Sequence, residues 1–130
     1  MFEPSTDHDL MARQIVDAAF AVHTGLGPGL SESVYEQCLV CELEARAVPF
    51  ERQVVLPIRY RDRRVDAGFR MDLVVGGRVV VEIKAVERTL PVHEAQLATY
   101  LKLSGYQLGL LINFNVVLIK HGIKRRVNGK

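Results

Sequence analysis

The sequence predicts an α+β fold, in the order α-α-β-β-β-α-β-β, from three features of its patterning. Apolar residues recur at helical spacing up to Ala47, and alternation of period two replaces that spacing from Phe50. A helical stretch from Pro91 to Ser104, with proline in its first turn and Gly105 at its end, then divides the strands. The 130 residues, 48% apolar and 25% charged, suit one core and are read as a single domain, 1–130. No run of about 18 uncharged apolar residues exists to span a bilayer. The acidic start, Met1 to His8, lacks the basic-then-apolar order of a signal peptide, so a cytoplasmic location is expected. A net charge of +2 and a pI of 8.7 permit nucleic-acid binding without arguing for it.

In the first helix Leu10, Met11, Ile15, Ala18, Ala19 and Val22 form the apolar stripe, with Thr6 or Asp7 as N-cap. Gly25-Leu26-Gly27-Pro28-Gly29-Leu30 ends it, since glycine and proline continue a helix only at a cost. The run lacks the Lys-Ser/Thr ending and the preceding strand of a phosphate-cradling loop, and reads as an interhelical turn. The second helix runs from about Ser31, its cap, to Ala47. Glu32 and Glu36 share a face of it, and Glu32 in the first turn complements the helix dipole. Cys38 and Cys41 have C-x-x-C spacing but no second Cys/His pair at zinc-like spacing, which assigns them to core packing.

Val54, Leu56, Ile58 and Tyr60 then alternate with Gln53, Val55, Pro57 and Arg59, as in one strand from Phe50 to Tyr60 covered on one face. Pro57 places that strand at an edge. Arg61-Asp62-Arg63-Arg64 turns the chain, which returns through Gly68 into strands Phe69–Val75 and Val79–Lys84, an antiparallel meander. His93, Gln96 and Tyr100 lie along one face of the third helix. Strands Tyr106–Asn113 and Val116–Lys120 follow. The basic tail from Lys120 to Arg126 is expected to be loosely held, with residues 1–8 and 124–130 flexible.

The strands joined by Gly76-Gly77 carry Asp72, Glu82 and Lys84 among β-branched apolar residues. Burying even a polar group there without compensation costs roughly 2–7 kcal/mol. Glu82 and Lys84 point to one face, as do Arg70 and Asp72, and the turn decides whether the two pairs coincide. A two-residue loop pairs Val75 with Arg78 and sends Asp72 and Glu82 to opposite faces. A three-residue loop, Val75-Gly76-Gly77, pairs Val74 with Arg78 and makes them diagonal neighbours on one face. An odd-length loop or an equivalent bulge is therefore expected. On a shared face the two carboxylates and the carbonyl of Ile83 are hard oxygen ligands suited to Mg²⁺ or Mn²⁺. Lys84 would then orient a water or offset phosphate charge. From these residues alone the competing reading, an ion cluster in which Lys84 pairs with Glu82 or Asp72, stays open.

Asp72 followed by Glu82-Ile83-Lys84 resembles the D…E-x-K signature of the PD-(D/E)XK nuclease superfamily, with Met71 where the usual proline stands. Gln96-Leu97-Ala98-Thr99-Tyr100 resembles the Q-x-x-x-Y motif of its RecB-like and phage exonuclease branches. Gly29-Leu30-Ser31-Glu32-Ser33-Val34-Tyr35 is similar to the pattern that names the GxxExxY family within that superfamily. Phe50-Glu51-Arg52-Gln53, Arg70-Met71-Asp72-Leu73-Val74, Glu82-Ile83-Lys84-Ala85-Val86 and Leu111-Ile112-Asn113-Phe114 extend the likeness over nearly the whole chain.

The resemblance implies a PD-(D/E)XK nuclease-like core, a central mixed β-sheet flanked by helices, and a Mg²⁺ (or Mn²⁺) dependent nuclease acting on DNA. Asp72, Glu82, Lys84 and Glu32 are its implied catalytic residues, Glu36 being the alternate to Glu32. The metal falls to Asp72, Glu82 and Ile83, and Gln96, Tyr100 and Arg70 contact nucleic acid. Strong sequence specificity is not expected, because 130 residues leave little surface for base readout. The alternative is a catalytically inactive module that binds nucleic acid or a protein partner; a third reading is a scaffold whose charges form only ion pairs. No membrane partner is expected, and a homo-oligomer is compatible with the sequence.

Overall fold

The computed structural model describes residues 5–66 and 68–129. Helix α1 spans Thr6–Leu26 and buries Ile15, Ala18, Ala19 and Val22 of the expected stripe together with Ala12, whereas Leu10 is exposed and Met11 only partly buried. Its N-cap is Ser5 rather than Thr6 or Asp7, because the Ser5 hydroxyl accepts from the His8 amide at 3.2 Å while Thr6 is already helical. Residues 5–8, expected to be flexible, therefore form this cap and the first turn, whereas 1–4 lie outside the described residues. Helix α2, Glu32–Ala45, is capped by Ser31 as expected. Left-handed Ala47 (φ 56°) follows it, and the Val48 amide closes back on the Leu43 carbonyl. Cys38 packs against the core but Cys41 is exposed, so core packing describes only the first cysteine.

Five strands form one mixed sheet in the order β1-β4-β5-β6-β7. They are β1 (Phe50–Val55), β4 (Arg70–Val75), β5 (Val79–Lys84), β6 (Leu108–Asn113) and β7 (Ile123–Val127). β1, β4 and β5 form the expected antiparallel meander; helix α3 (Pro91–Ser104) then crosses over to bring β6 parallel to β5. Leu73, Val75, Val79, Val81, Leu110 and Ile112 share a core with α1 and α2. Val74, Val80 and Leu111 pack with Leu97, Tyr100 and Leu101 of α3. Among the described residues no helix is long and apolar enough to cross a membrane.

Three strand expectations need correction. The strand expected from Phe50 to Tyr60 breaks at Leu56-Pro57: the Leu56 amide makes the last bond to β4's approach, at Phe69, and Pro57 has no amide to continue with. The chain leaves the sheet there as a separate two-stranded hairpin, β2 (Ile58–Tyr60) and β3 (Arg63–Val65). The strand expected at Val116–Lys120 is instead an exposed loop at Val117 and Leu118, followed by a 3₁₀ turn, Ile119–His121. The pairing passes to β7, part of the tail expected to be loose and flexible. Gly122 leads into it from the 3₁₀ turn, where a Cβ would fall 2.1 Å from the Asn113 carbonyl oxygen. Lys124 pairs with Glu94 at 3.1 Å and Arg125 with Asp9 at 2.7 Å, while the Asn128 carboxamide donates to the carbonyls of Leu101 and Tyr106.

Candidate active site

The β4–β5 turn sets the site. Gly76 (φ 61°) and Gly77 (φ 64°) take the left-handed backbone that glycine tolerates, the Arg78 amide donates to the Val75 carbonyl at 3.1 Å, and pairing resumes with Val75 opposite Val79. The loop is thus Gly76-Gly77-Arg78, odd in length as expected but one residue further on than Val75-Gly76-Gly77. The shift brings Asp72 directly opposite Glu82 instead of diagonal to it. Regular pairing stops at Leu73 and Val81, and past that point the carboxylates replace the ladder. The Asp72 amide donates to Glu82 Oε1 at 3.2 Å and the Ile83 amide to Asp72 Oδ2 at 2.8 Å. The strands fork here, with an acid on each prong.

Neither acid is at ease. Glu82 is 5% exposed, and its pKa is pushed up to about 8, first by burial and next by the charge of Asp72. Asp72 is raised too, chiefly by burial, with the Ile83 amide and Lys84 opposing and Glu36 adding to the rise. Lys84 is half-buried and lies near enough to lower both pKa values, yet no carboxylate among the described residues comes within 4 Å of its ammonium. The closed ion cluster that competed with a metal site is therefore not what the side chains form.

Helix α3 covers the fork from one side. Gln96 Nε2 donates to the Tyr100 hydroxyl at 3.0 Å, so the two share a helix face as the i, i+4 spacing required, and the pKa of Tyr100 is raised by burial and by the nearby charges of Glu82 and Asp72. Lys84 and Gln96 line one hollow with Val92, His93 and Thr99. Arg70 is exposed at the start of β4, two residues from Asp72.

Helix α2 closes the other side. Glu32, Glu36, Gln53, Asp72 and Ile83 line a second cleft. Glu32 is exposed, whereas Glu36 is 9% exposed and is the one whose charge reaches Asp72. Glu36 is held by Arg52 at 2.9 Å and by the Gln53 carboxamide at 2.8 Å. Gln53 reaches it from a left-handed backbone (φ 49°) where β1 leaves its ladder beside Asp72, a conformation that costs a non-glycine residue about 1–3 kcal/mol. This clasp was not anticipated, although Arg52 and Gln53 stand in one of the matched motifs; an unpatterned φ has no signal in the sequence. The expected Glu32 and the alternate Glu36 thus reach the same cleft at different depths.

The far end of β5 is fixed from behind. The buried Asn113 carboxamide bonds the amide and carbonyl of Val86, and the Phe114 amide donates to the Lys84 carbonyl at 2.9 Å. Phe114 stacks on Tyr35, centroids 4.6 Å apart, and the Tyr35 hydroxyl donates to the Gly27 carbonyl and accepts from the Leu30 amide.

A family model described as the PD-(D/E)XK nuclease superfamily matches residues 9–126. The chain belongs to that superfamily. The mixed five-stranded sheet with its three helices is consistent with the PD-(D/E)XK fold, and members of the superfamily are generally phosphodiesterase nucleases that usually use divalent metal ions. No curated protein and no solved structure matches the chain. Among the described residues no group of three His, Cys, Asp or Glu side chains is disposed to hold a metal. The pair at the fork nevertheless fits the donor chemistry, because two adjoining carboxylates supply hard oxygens, and burial raises the pKa of both.

Proposed function

We propose that this PD-(D/E)XK protein is a Mg²⁺- or Mn²⁺-dependent nuclease that hydrolyses phosphodiester bonds in DNA without strong sequence specificity. The observation that carries the reading is the forked hairpin, with Asp72 facing Glu82 and, on the same face, Lys84, which has no carboxylate within 4 Å among the described residues. Asp72, Glu82 and the carbonyl of Ile83 would hold the ion. When bound, it would supply the positive charge that lowers the pKa of an attacking water and offsets charge on phosphorus.

The chain's own groups do the rest. Lys84, without a carboxylate partner among the described residues, is available to the scissile phosphate or the water beside it. Gln96 and Tyr100 offer a carboxamide and a hydroxyl to a phosphate oxygen, and Arg70 offers a guanidinium at the fork's mouth. Glu36, already clasped and facing Asp72, is a better third carboxylate than Glu32. Gly29 (φ 102°), with its amide on the Asn115 carboxamide oxygen, and the Tyr35 clamp support placing the chain in the GxxExxY branch. There the glycine and tyrosine shape the loop while the glutamate borders the cleft. The free cysteines suit a reducing compartment, and we place the activity in the cytoplasm.

Purified protein incubated with linear, circular and single-stranded DNA plus Mn²⁺ tests this. Asp72→Asn and Lys84→Ala should each lower the cleavage rate by about 10²–10³, the scale of losing one electrostatic stabiliser. Glu36→Gln should cost more than Glu32→Gln. Equal cleavage by wild type and Lys84→Ala would mean a contaminating nuclease and end the proposal.

A further inference from the structure

The β2–β3 hairpin has no structural work that explains its composition. It pairs with no other strand among the described residues; Ile58 is half-buried and every other residue through Asp66 is exposed, Tyr60 at 68%. An isolated two-stranded hairpin is marginal in water, and like charges directly opposite each other weaken it further. Here Arg59 stands opposite Arg64 on one face, and Tyr60 opposite Arg63 on the other. The tip residue Arg61 adopts a left-handed backbone (φ 55°), where glycine or asparagine would be at ease. The segment holds four arginines against two aspartates, an excess equal to the whole chain's net charge of +2. Outside the hairpin Arg46, Arg52, Arg78, Lys124 and Arg125 each find an acid; in the hairpin only Arg64 does so among the described residues, in a solvent-exposed pair with Asp66.

Position adds the second argument. The hairpin is inserted between Val55 of β1 and Arg70 of β4, which pair at the end of the sheet where Asp72 lies two residues further along. It therefore projects from the same end as the fork. A two-stranded ribbon has the width of the DNA major groove, and arginines flanking an exposed aromatic suit a phosphate backbone.

We propose that the β2–β3 hairpin is a grip for duplex DNA, in which Arg59, Arg63 and Arg64 contact phosphates flanking the bond held at the fork, with Tyr60 packed against the sugar edge. The proposal rests on the nuclease reading for the identity of the bound polymer. It goes beyond that reading in assigning affinity to an element outside the catalytic fork.

The test uses the full chain, a short labelled duplex and EDTA, so that anisotropy reports binding without cleavage. Wild type should bind with steep salt dependence. Arg59→Ala/Arg63→Ala/Arg64→Ala should reduce the slope of log K against log salt by about 2–3, near 0.9 per phosphate contact, with affinity down roughly tenfold or more. The matching triple lysine variant keeps the charge and should restore most of the slope, which separates lost contacts from lost folding. An unchanged slope in the alanine variant, or a wild type that binds no duplex, overturns the proposal. Cleavage that depends on Asp72 beside an unchanged slope would sink the hairpin and leave the nuclease; a hairpin-dependent slope without cleavage in Mn²⁺ would do the reverse.

Discussion

Glu82 is where pH acts on this protein. Its carboxyl is raised from an ordinary 4.5 to about 8 in the fold, so the folded state binds the proton more tightly than the unfolded chain does. Its contribution to stability is therefore full below about 4.5 and is lost as pH rises through about 8. Urea denaturation of metal-free protein should show stability falling across that window, and Glu82→Gln should remove most of the slope. Mn²⁺ should stabilise the wild type more at the alkaline end, where no proton competes for the carboxylate, and should do little for the variant. The acid pair was legible in the sequence because charges in apolar, β-branched strands break a strong pattern. Glu36 was harder to rank, since its burial beside Asp72 is held by Arg52 and by the left-handed Gln53, which only the folded backbone discloses.

At the level of elements, the β4–β5 turn fixes the parity of the whole site. Deleting one glycine to leave a two-residue loop would rotate one prong by a residue and send Asp72 and Glu82 to opposite faces. Such a variant should lose detectable cleavage and Mn²⁺ binding by titration calorimetry, whereas Gly77→Asn, which tolerates the left-handed backbone, should retain both. Odd loop length could be reasoned from the sequence, because only that parity makes chemical sense of the two acids. Its one-residue placement could not, as either glycine can open a left-handed turn. The edge strand β7 was illegible for the opposite reason: its middle residues are Lys124, Arg125 and Arg126, without period-two alternation, and pattern reading takes such a run for a solvated tail. Pro57 did mark an edge in the sequence, but the chain uses it to leave the sheet altogether.

Across the whole molecule, the tightest approach described for a glycine to α3 is that of β6. A Cβ at Gly109 of β6 would lie 2.8 Å from Leu97 Cδ1, and Leu97 is itself buried with little room to move. Gly109→Val should therefore destabilise the protein by about 1–3 kcal/mol in chemical denaturation. Because Gln96 and Tyr100 flank Leu97 on the same helix, the variant should also cut more slowly under conditions where it remains folded. The structure sets α1 and α2 on one face of the sheet and α3 on the other. A central mixed sheet flanked by helices followed from the family resemblance. The departure of β2 and β3 from that sheet did not, since Ile58 and Tyr60 continue the apolar alternation of β1.

The ring stack of Tyr35 on Phe114 joins two signatures that look unrelated on paper. Tyr35 ends the glycine-to-tyrosine motif and holds its loop, while Phe114 ends the Leu111–Phe114 motif and bonds the carbonyl of Lys84. Drift in either ring would loosen the strand end that presents the lysine. The two motifs should thus descend through a lineage as one inherited unit, and a chain that has lost Tyr35 should be found to have relaxed its E-x-K as well.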